Sequence, residues 1–354
     1  MPRCTEGIEK MMRVRFDLGL RLGLAGCLVL ASGGPALPWG ADGHRMVTVA
    51  AVRALPDEVP GFLRTSLAVE QLGELAREPD RSKGSGQPHD ADLDPAHFVN
   101  LDDSGRVGGG PALADLPRTR AEYDTAIRAA GEGDSARFGY LPYALIDGWQ
   151  QLVKDFGYWR VDRAGETRGA DARQRAWFAR DRALREMLIL RDLGYWSHYV
   201  GDAAQPLHVS IHYNGWGNYP NPNHYTAERI HGPFEGAFVH AHVTLPDVER
   251  ALTAPRSIEG PIQGEVSGFL AAGQREAEPL FALWTAHGFD AADPSRGKAF
   301  AVRRLAAGAS ELRDLVVAAW RASATSTVGY PAVKVNEVEA GTVPLPYEQM
   351  VGVD

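Results

Sequence analysis

At 354 residues, 44% of them hydrophobic and 9% aromatic, the chain can bury one large core or two smaller ones, and its composition is not that of a disordered protein. The formal net charge of −8 excludes a global basic field that would draw nucleic acid or an anionic membrane. Any phosphate handled by this chain must meet local positive charge, for which bound metal is the obvious source.

Residues 1–38 read as a secretory signal peptide. Lys10, Arg13, Arg15 and Arg21 precede an apolar run from Leu22 to Ala31, followed by the small and turn-forming residues Ser32 to Pro38. The run is too short to span a bilayer comfortably, and Met11 or Met12 could be the true start. A buried first helix is the competing reading. Leu24-Ala25-Gly26-Cys27 also fits a bacterial lipoprotein cleavage box, although Arg21 leaves little apolar sequence ahead of Cys27. Removal of 1–38 takes away five basic and three acidic side chains, and with them both cysteines, Cys4 and Cys27. The expected mature product is secreted or periplasmic, has no transmembrane segment, and is held together by its core or by metal in place of disulfides.

The remainder, 39–354, reads as one all-α domain with long irregular loops. Apolar residues at helical spacing run over 43–55 and stop at Pro56; a second helix is expected over about 61–77. The stretch 79–116 is polar and rich in Gly, Pro and Asp, too irregular for a long element. Helical patterns return at about 118–131, 138–156 and, strongly, 172–202. Residues 212–228 are a loop by composition; helices are expected near 231–243, 261–287 and 297–323. The tail after Thr327 is expected to be irregular or extended, and neither persuasive strand alternation nor an internal repeat is present.

Histidine placement carries the chemical information. Seven of the eleven histidines fall between His198 and His242. His198 and Asp202 are four apart near the end of the long helix, which puts imidazole and carboxylate on one face, close enough to share a cation. His208 follows the Gln205-Pro206 corner, and His231 and Glu235 repeat the four-residue spacing. One such pair is usually a surface ion pair or a capped core histidine. Two pairs with a histidine between them make a candidate metal site, whose nitrogen and oxygen donors suit zinc better than calcium or magnesium.

The start Trp39-Gly-Ala-Asp-Gly-His44, the core His198-x-x-x-Asp202-x-x-Gln-Pro-Leu-His208 and the pair His231-x-x-x-Glu235 resemble the trinuclear zinc superfamily that joins single-strand-specific nucleases to bacterial zinc phospholipases C. The resemblance implies three Zn2+ in a cleft between helices. Asp80, His97, His198 and Asp202 would hold one ion, and His208, His231 and Glu235 its neighbour. His44, Asp202 and the backbone amine and carbonyl of Trp39 would hold the third. Asp90, Asp92 and Asp94 compete with Asp80 for its place. The amine of Trp39 requires cleavage after Pro38, an unusual site for a signal peptidase, whereas Gly34-Pro35-Ala36 looks a better one.

The same resemblance implies a secreted zinc-dependent phosphodiesterase in which zinc activates a water against phosphorus. Asp80 would orient the nucleophile, Lys83 bind phosphate, Asn100 hydrogen-bond a nucleobase, and Tyr213 and Trp216 in the aromatic loop stack a ligand. Two marks favour a nuclease or 3′-nucleotidase: the five-residue step from Trp39 to His44, and the interval from His208 to His231 with its Gly-x-Gly-Asn stretch. Glu235 and the following Ala-Phe-Val resemble the phospholipases. The expected partner is therefore a nucleic acid or nucleotide, with a phospholipid headgroup as the alternative and no obligate protein partner evident; a non-catalytic secreted zinc-binding protein is the reading from another class.

Overall fold

Helix α1 (Ala41–Arg53) carries its apolar residues to one side and ends just ahead of Pro56, where the chain can no longer stay helical. The computed structural model describes residues 39–86 and 88–352, so the candidate signal segment 1–38 lies outside the described residues. The helix expected over 61–77 divides at Thr65. A 3₁₀ turn (Gly61–Arg64) precedes it, and the Thr65 hydroxyl then accepts from Ala68 N to start α2 (Ser66–Leu75). Among its described residues, the polar stretch that follows holds the short helices α3 (Glu78–Arg81) and α4 (His89–Leu93) with 3₁₀ turns, before a Thr119–Glu122 capping box opens α5 (Arg120–Ala129).

Helices α6 (Leu141–Arg168) and α7 (Ala172–Ala204) form the centre of the molecule. They run antiparallel: Gly165 meets Phe178, Arg185 meets Asp155, Gln151 meets Asp192, and Trp196 Nε1 donates to Leu145 O. Helix α6 continues well past the expected end at 156 because Gly157 and Gly165 are contact positions rather than breaks. A Cβ on Gly165 would stand 2.2 Å from Phe178.

Downstream, a π-helical turn (Pro233–Phe238) leads into α8 (Val239–His242), α9 (Leu245–Arg250), α10 (Ile262–Gln274), α11 (Ala277–Thr285) and α12 (Ser295–Ser323). The helix expected over 261–287 is thus two, broken at Arg275 and Glu276. Helix α12 packs on α6, α7 and α1, enclosing a core that includes Val47, Ala50, Val200, Leu305 and Leu312. The tail is more ordered than expected. Strands β1 (Thr327–Val328) and β2 (Val333–Lys334) pair antiparallel, α13 (Val335–Ala340) and α14 (Tyr347–Val351) follow, and Val328, Val335 and Val338 join Val161 and Phe178 in a second small core. The architecture is mainly helical, and among the described residues no helix is long and apolar enough to cross a membrane.

Candidate metal centre

The last turns of α7 form the floor of the site. His198 and Asp202, one turn apart, are both fully buried. Helix α1 is fastened beside them: Thr48 donates to Ser197 Oγ at 2.8 Å, and Trp39 Nε1 donates to Gly201 O at 2.8 Å. Gly201 leaves the space that His44 fills, since a Cβ there would be 3.1 Å from His44 Nδ1. His44 stacks on His198 with ring centres 3.7 Å apart, and its Nε2 is 3.6 Å from Asp202 Oδ1. The end of α7 is held in turn by the buried Arg304 of α12, whose Nε donates to Ala204 O at 2.9 Å.

Three groups of side chains converge here, each with donor atoms close enough to hold a metal ion: His97, His198 and Asp202; His208, His231 and Glu235; and His44, Asp80 and His198. In the first, His97 Nδ1 is 3.1 Å from Asp202 Oδ2 and 3.0 Å from His198 Nε2, which is itself 3.3 Å from Asp202 Oδ2. In the second, Glu235 Oε2 is 2.8 Å from His231 Nε2 and 3.6 Å from His208 Nε2. Ligands at about 2.0–2.2 Å from a tetrahedral ion stand about 3.3–3.6 Å apart, so the His198–Asp202 and His208–Glu235 separations match a coordination shell and the remaining pairs would open by a few tenths of an ångström around an ion.

Ring tautomers point the same way. His198 Nδ1 lies 2.8 Å from Ala76 O, and His208 Nδ1 lies 2.6 Å from His97 O. A carbonyl only accepts, so each Nδ1 carries the proton and each Nε2 turns a lone pair inward, the arrangement that orients metal-binding imidazoles. Fully buried Gln205 donates to Glu235 Oε2 at 2.8 Å and accepts from Leu207 N at 2.7 Å, fixing the carboxylate and the corner together.

Electrostatically the cluster calls for a cation. Burial pushes the Asp202 carboxyl up to about 8 and the His198 ring down to about 4, and it holds His97 well below the ordinary imidazole value. Burial also raises Asp80, against the pull of His198 and Lys83. At Glu235 burial acts upward, but neighbouring His231 and His208 outweigh it and hold the carboxyl below its ordinary value. Asp202 Oδ1, His208 Nε2 and Glu235 Oε1 are buried with no hydrogen bond. Lone pairs of this number, desolvated and facing one another, are costly unless a cation lies between them.

The structure gathers Trp39, His44, Asp80, His97, His198, Asp202, His208, His231 and Glu235 around this centre. Asp80 falls with His44 and His198 rather than with His97: its Oδ1 is 3.8 Å from His198 Nε2 and 3.1 Å from Lys83 Nζ. Of its competitors, Asp94 instead pairs with Lys83, at 3.8 Å. Above His97, His208 and His231 opens a cleft of about 350 Å³, walled by Phe98, Leu207, Tyr213 and Asn214 and carrying Lys83, Asn100 and Arg137.

Tyr213 is half exposed at this cleft, as a stacking residue must be. Trp216 is not placed for that role. It is 7% exposed, stacked on His212 at 3.8 Å, with its Nε1 donating to Pro220 O, so it forms the core of its own loop. Asn100 spends an amide hydrogen on Arg137 O at 2.9 Å, which ties two segments together. Sequence reasoning missed the parts played by Gln205, Thr48 and Arg137. Of these only Gln205 left a local mark, beside Pro206 in the corner.

No protein-family model matches the chain, and comparison with curated proteins and with solved structures finds no match. Fold and site together define a mainly helical protein with a buried His/Asp/Glu centre able to hold metal ions.

Proposed function

We propose that this protein is a zinc-dependent phosphodiesterase with three Zn2+ at this centre, acting on single-stranded nucleic acid or nucleotides. The observation that carries the reading is the convergence of three ligand groups, two of which share His198, beside one cleft that Lys83 also lines. Buried imidazole and carboxylate donors suit zinc better than calcium or magnesium. The resemblance of the Trp39–His44, His198–His208 and His231–Glu235 motifs to the trinuclear zinc superfamily supports the count of three.

Zinc, when bound, supplies concentrated positive charge and lowers the pKa of the water it holds to about 7. The chain's own residues do the remainder. His97, His208 and His231 present the centre to the cleft, Phe98 and Leu207 wall it, and Asp80, paired with Lys83, would orient an attacking water. Lys83 has an ammonium beside the cleft to meet a phosphoryl oxygen. Glu235 favours the second reading, a zinc phospholipase C, because the nuclease branch normally has Asp in that place.

The test offers zinc-loaded protein denatured DNA, RNA, a 3′-nucleotide and phosphatidylcholine in parallel. The proposal expects release of product from the nucleic acids or the nucleotide. Turnover of the lipid alone supports the phospholipase, and no turnover of any phosphoester at full metal occupancy supports a zinc-binding protein without catalysis.

A further inference from the structure

We propose that Arg137 forms a second phosphate subsite, gripping the phosphate next to the one being cleaved in a single-stranded oligonucleotide. Arg137 and Lys83 are the two cationic side chains lining the cleft. Lys83 is engaged by Asp80 and Asp94. Arg137 is exposed, and among the described residues its guanidinium has neither an ion pair nor a hydrogen bond; its one side-chain contact of this kind is made to its carbonyl by Asn100. The cleft thus holds one cation shared with Asp80 and Asp94 beside the metal ligands and one with no carboxylate partner.

Arg137 is also registered to the centre. Asn100 N donates to Phe138 O at 2.8 Å, Leu141 N to Phe98 O at 3.1 Å and Tyr140 N to Pro95 O at 2.6 Å, which zips the Arg137 segment onto the segment of His97. Gly139 permits this approach. It has φ 86°, and a Cβ on it would stand 2.0 Å from Phe98 O. The turn before it is fixed by Asp134, which accepts from Ala136 N, and by buried Ser135 on Asp124 and Tyr140. A planar guanidinium carried on a backbone fixed in this way, and itself unengaged, can match a phosphate's oxygens with two parallel hydrogen bonds. The same cleft is lined by Phe98, Leu207, Tyr213, Asn214 and Asp94, a mixed apolar and polar wall of the kind a nucleoside needs. A cationic choline headgroup would be repelled by the same arginine, so the arrangement favours a nucleic-acid chain over a phosphatidylcholine surface.

This inference rests on the reading of the centre as a phosphodiesterase, and the test separates the two. Zinc-loaded protein is given a dinucleotide with an additional terminal phosphate and the same dinucleotide without it. Calorimetry follows the binding of their phosphorothioate-linked counterparts. The expected preference for the phosphorylated form is roughly 10–100-fold in both kcat/KM and affinity. Arg137→Ala should bring both ratios close to one, and Arg137→Lys, which keeps the charge and loses the fork, should leave an intermediate preference. Equal binding of the two dinucleotides by the native protein, an unchanged ratio in Arg137→Ala, or faster turnover of phosphatidylcholine vesicles overturns the subsite. Absence of all turnover overturns the phosphodiesterase reading instead, and the binding ratios still decide on Arg137.

Discussion

Gln205 is a single neutral side chain that fixes one carboxylate of the candidate metal centre. It donates to one oxygen of Glu235 while accepting from Leu207 N, so it holds the carboxylate's rotation relative to His208. Gln205→Ala should weaken zinc binding by about 10–100-fold in a competition titration against a chromogenic chelator; an unchanged affinity would show that Glu235 needs no such support. His198 is more deeply involved, belonging to two of the three groups. His198→Ala should lose bound zinc and all phosphoester hydrolysis, and near-native turnover by that variant would refute its assignment. At this scale the sequence was legible where the signal is local. His198 with Asp202 and His231 with Glu235 declare themselves by a four-residue spacing. His44, Asp80 and His97 needed the resemblance, because nothing near them in the chain says that they converge. Trp216 was not legible: an aromatic side chain in a polar loop can turn outward to a ligand or inward to its neighbours, and here His212, Tyr225 and Phe281 take it inward.

Among the elements, the α6–α7 pair decides where the centre lies. Its close approach depends on small residues at the crossing: a Cβ on Gly148 would stand 2.0 Å from the Trp196 ring, two residues before His198. Gly148→Ala should force Trp196 aside, cost about 1–3 kcal/mol and lower Tm by roughly 2–5 °C. A melting temperature within about 1 °C of native would mean that the helices part easily. The same glycines explain what sequence periodicity concealed. Gly157 and Gly165 resemble helix breaks, yet they are places where α6 admits Ser326 and Phe178, so the helix is longer than its pattern promised. Expectation also erred at Thr65 and at Arg275, where a cap and a bend split continuous-looking patterns. The π-helical turn under Glu235 left no mark in the apolar spacing; such turns are frequent at functional sites.

For the whole molecule, two populations of buried carboxylates oppose folding and are relieved by different means, metal in one case and a proton in the other. In the metal centre, buried donors without a cation oppose folding, so bound metal contributes folding free energy and EDTA should lower Tm in a thermal melt. No change on chelation would mean that the donors are satisfied without metal. Away from the centre, Asp162 is fully buried, and burial together with Asp181 and Glu166, against the pull of Arg185, pushes its carboxyl up to about 9. Because this value lies above the unfolded one, the folded state holds a proton that the unfolded chain releases. Stability from this group is therefore present below the ordinary carboxylate range and is lost as pH climbs toward 9. Asp162→Asn should raise Tm at pH 8 by about 2 °C or more while changing it less at pH 5; equal effects at both would contradict the assignment.

The central claim is tested most directly by anomalous diffraction at the zinc absorption edge, on crystals of the zinc-loaded protein beginning at Trp39. The account predicts three peaks, one at each of the groups that contain His97, His208 and His44. A map with no peak among these side chains would contradict it.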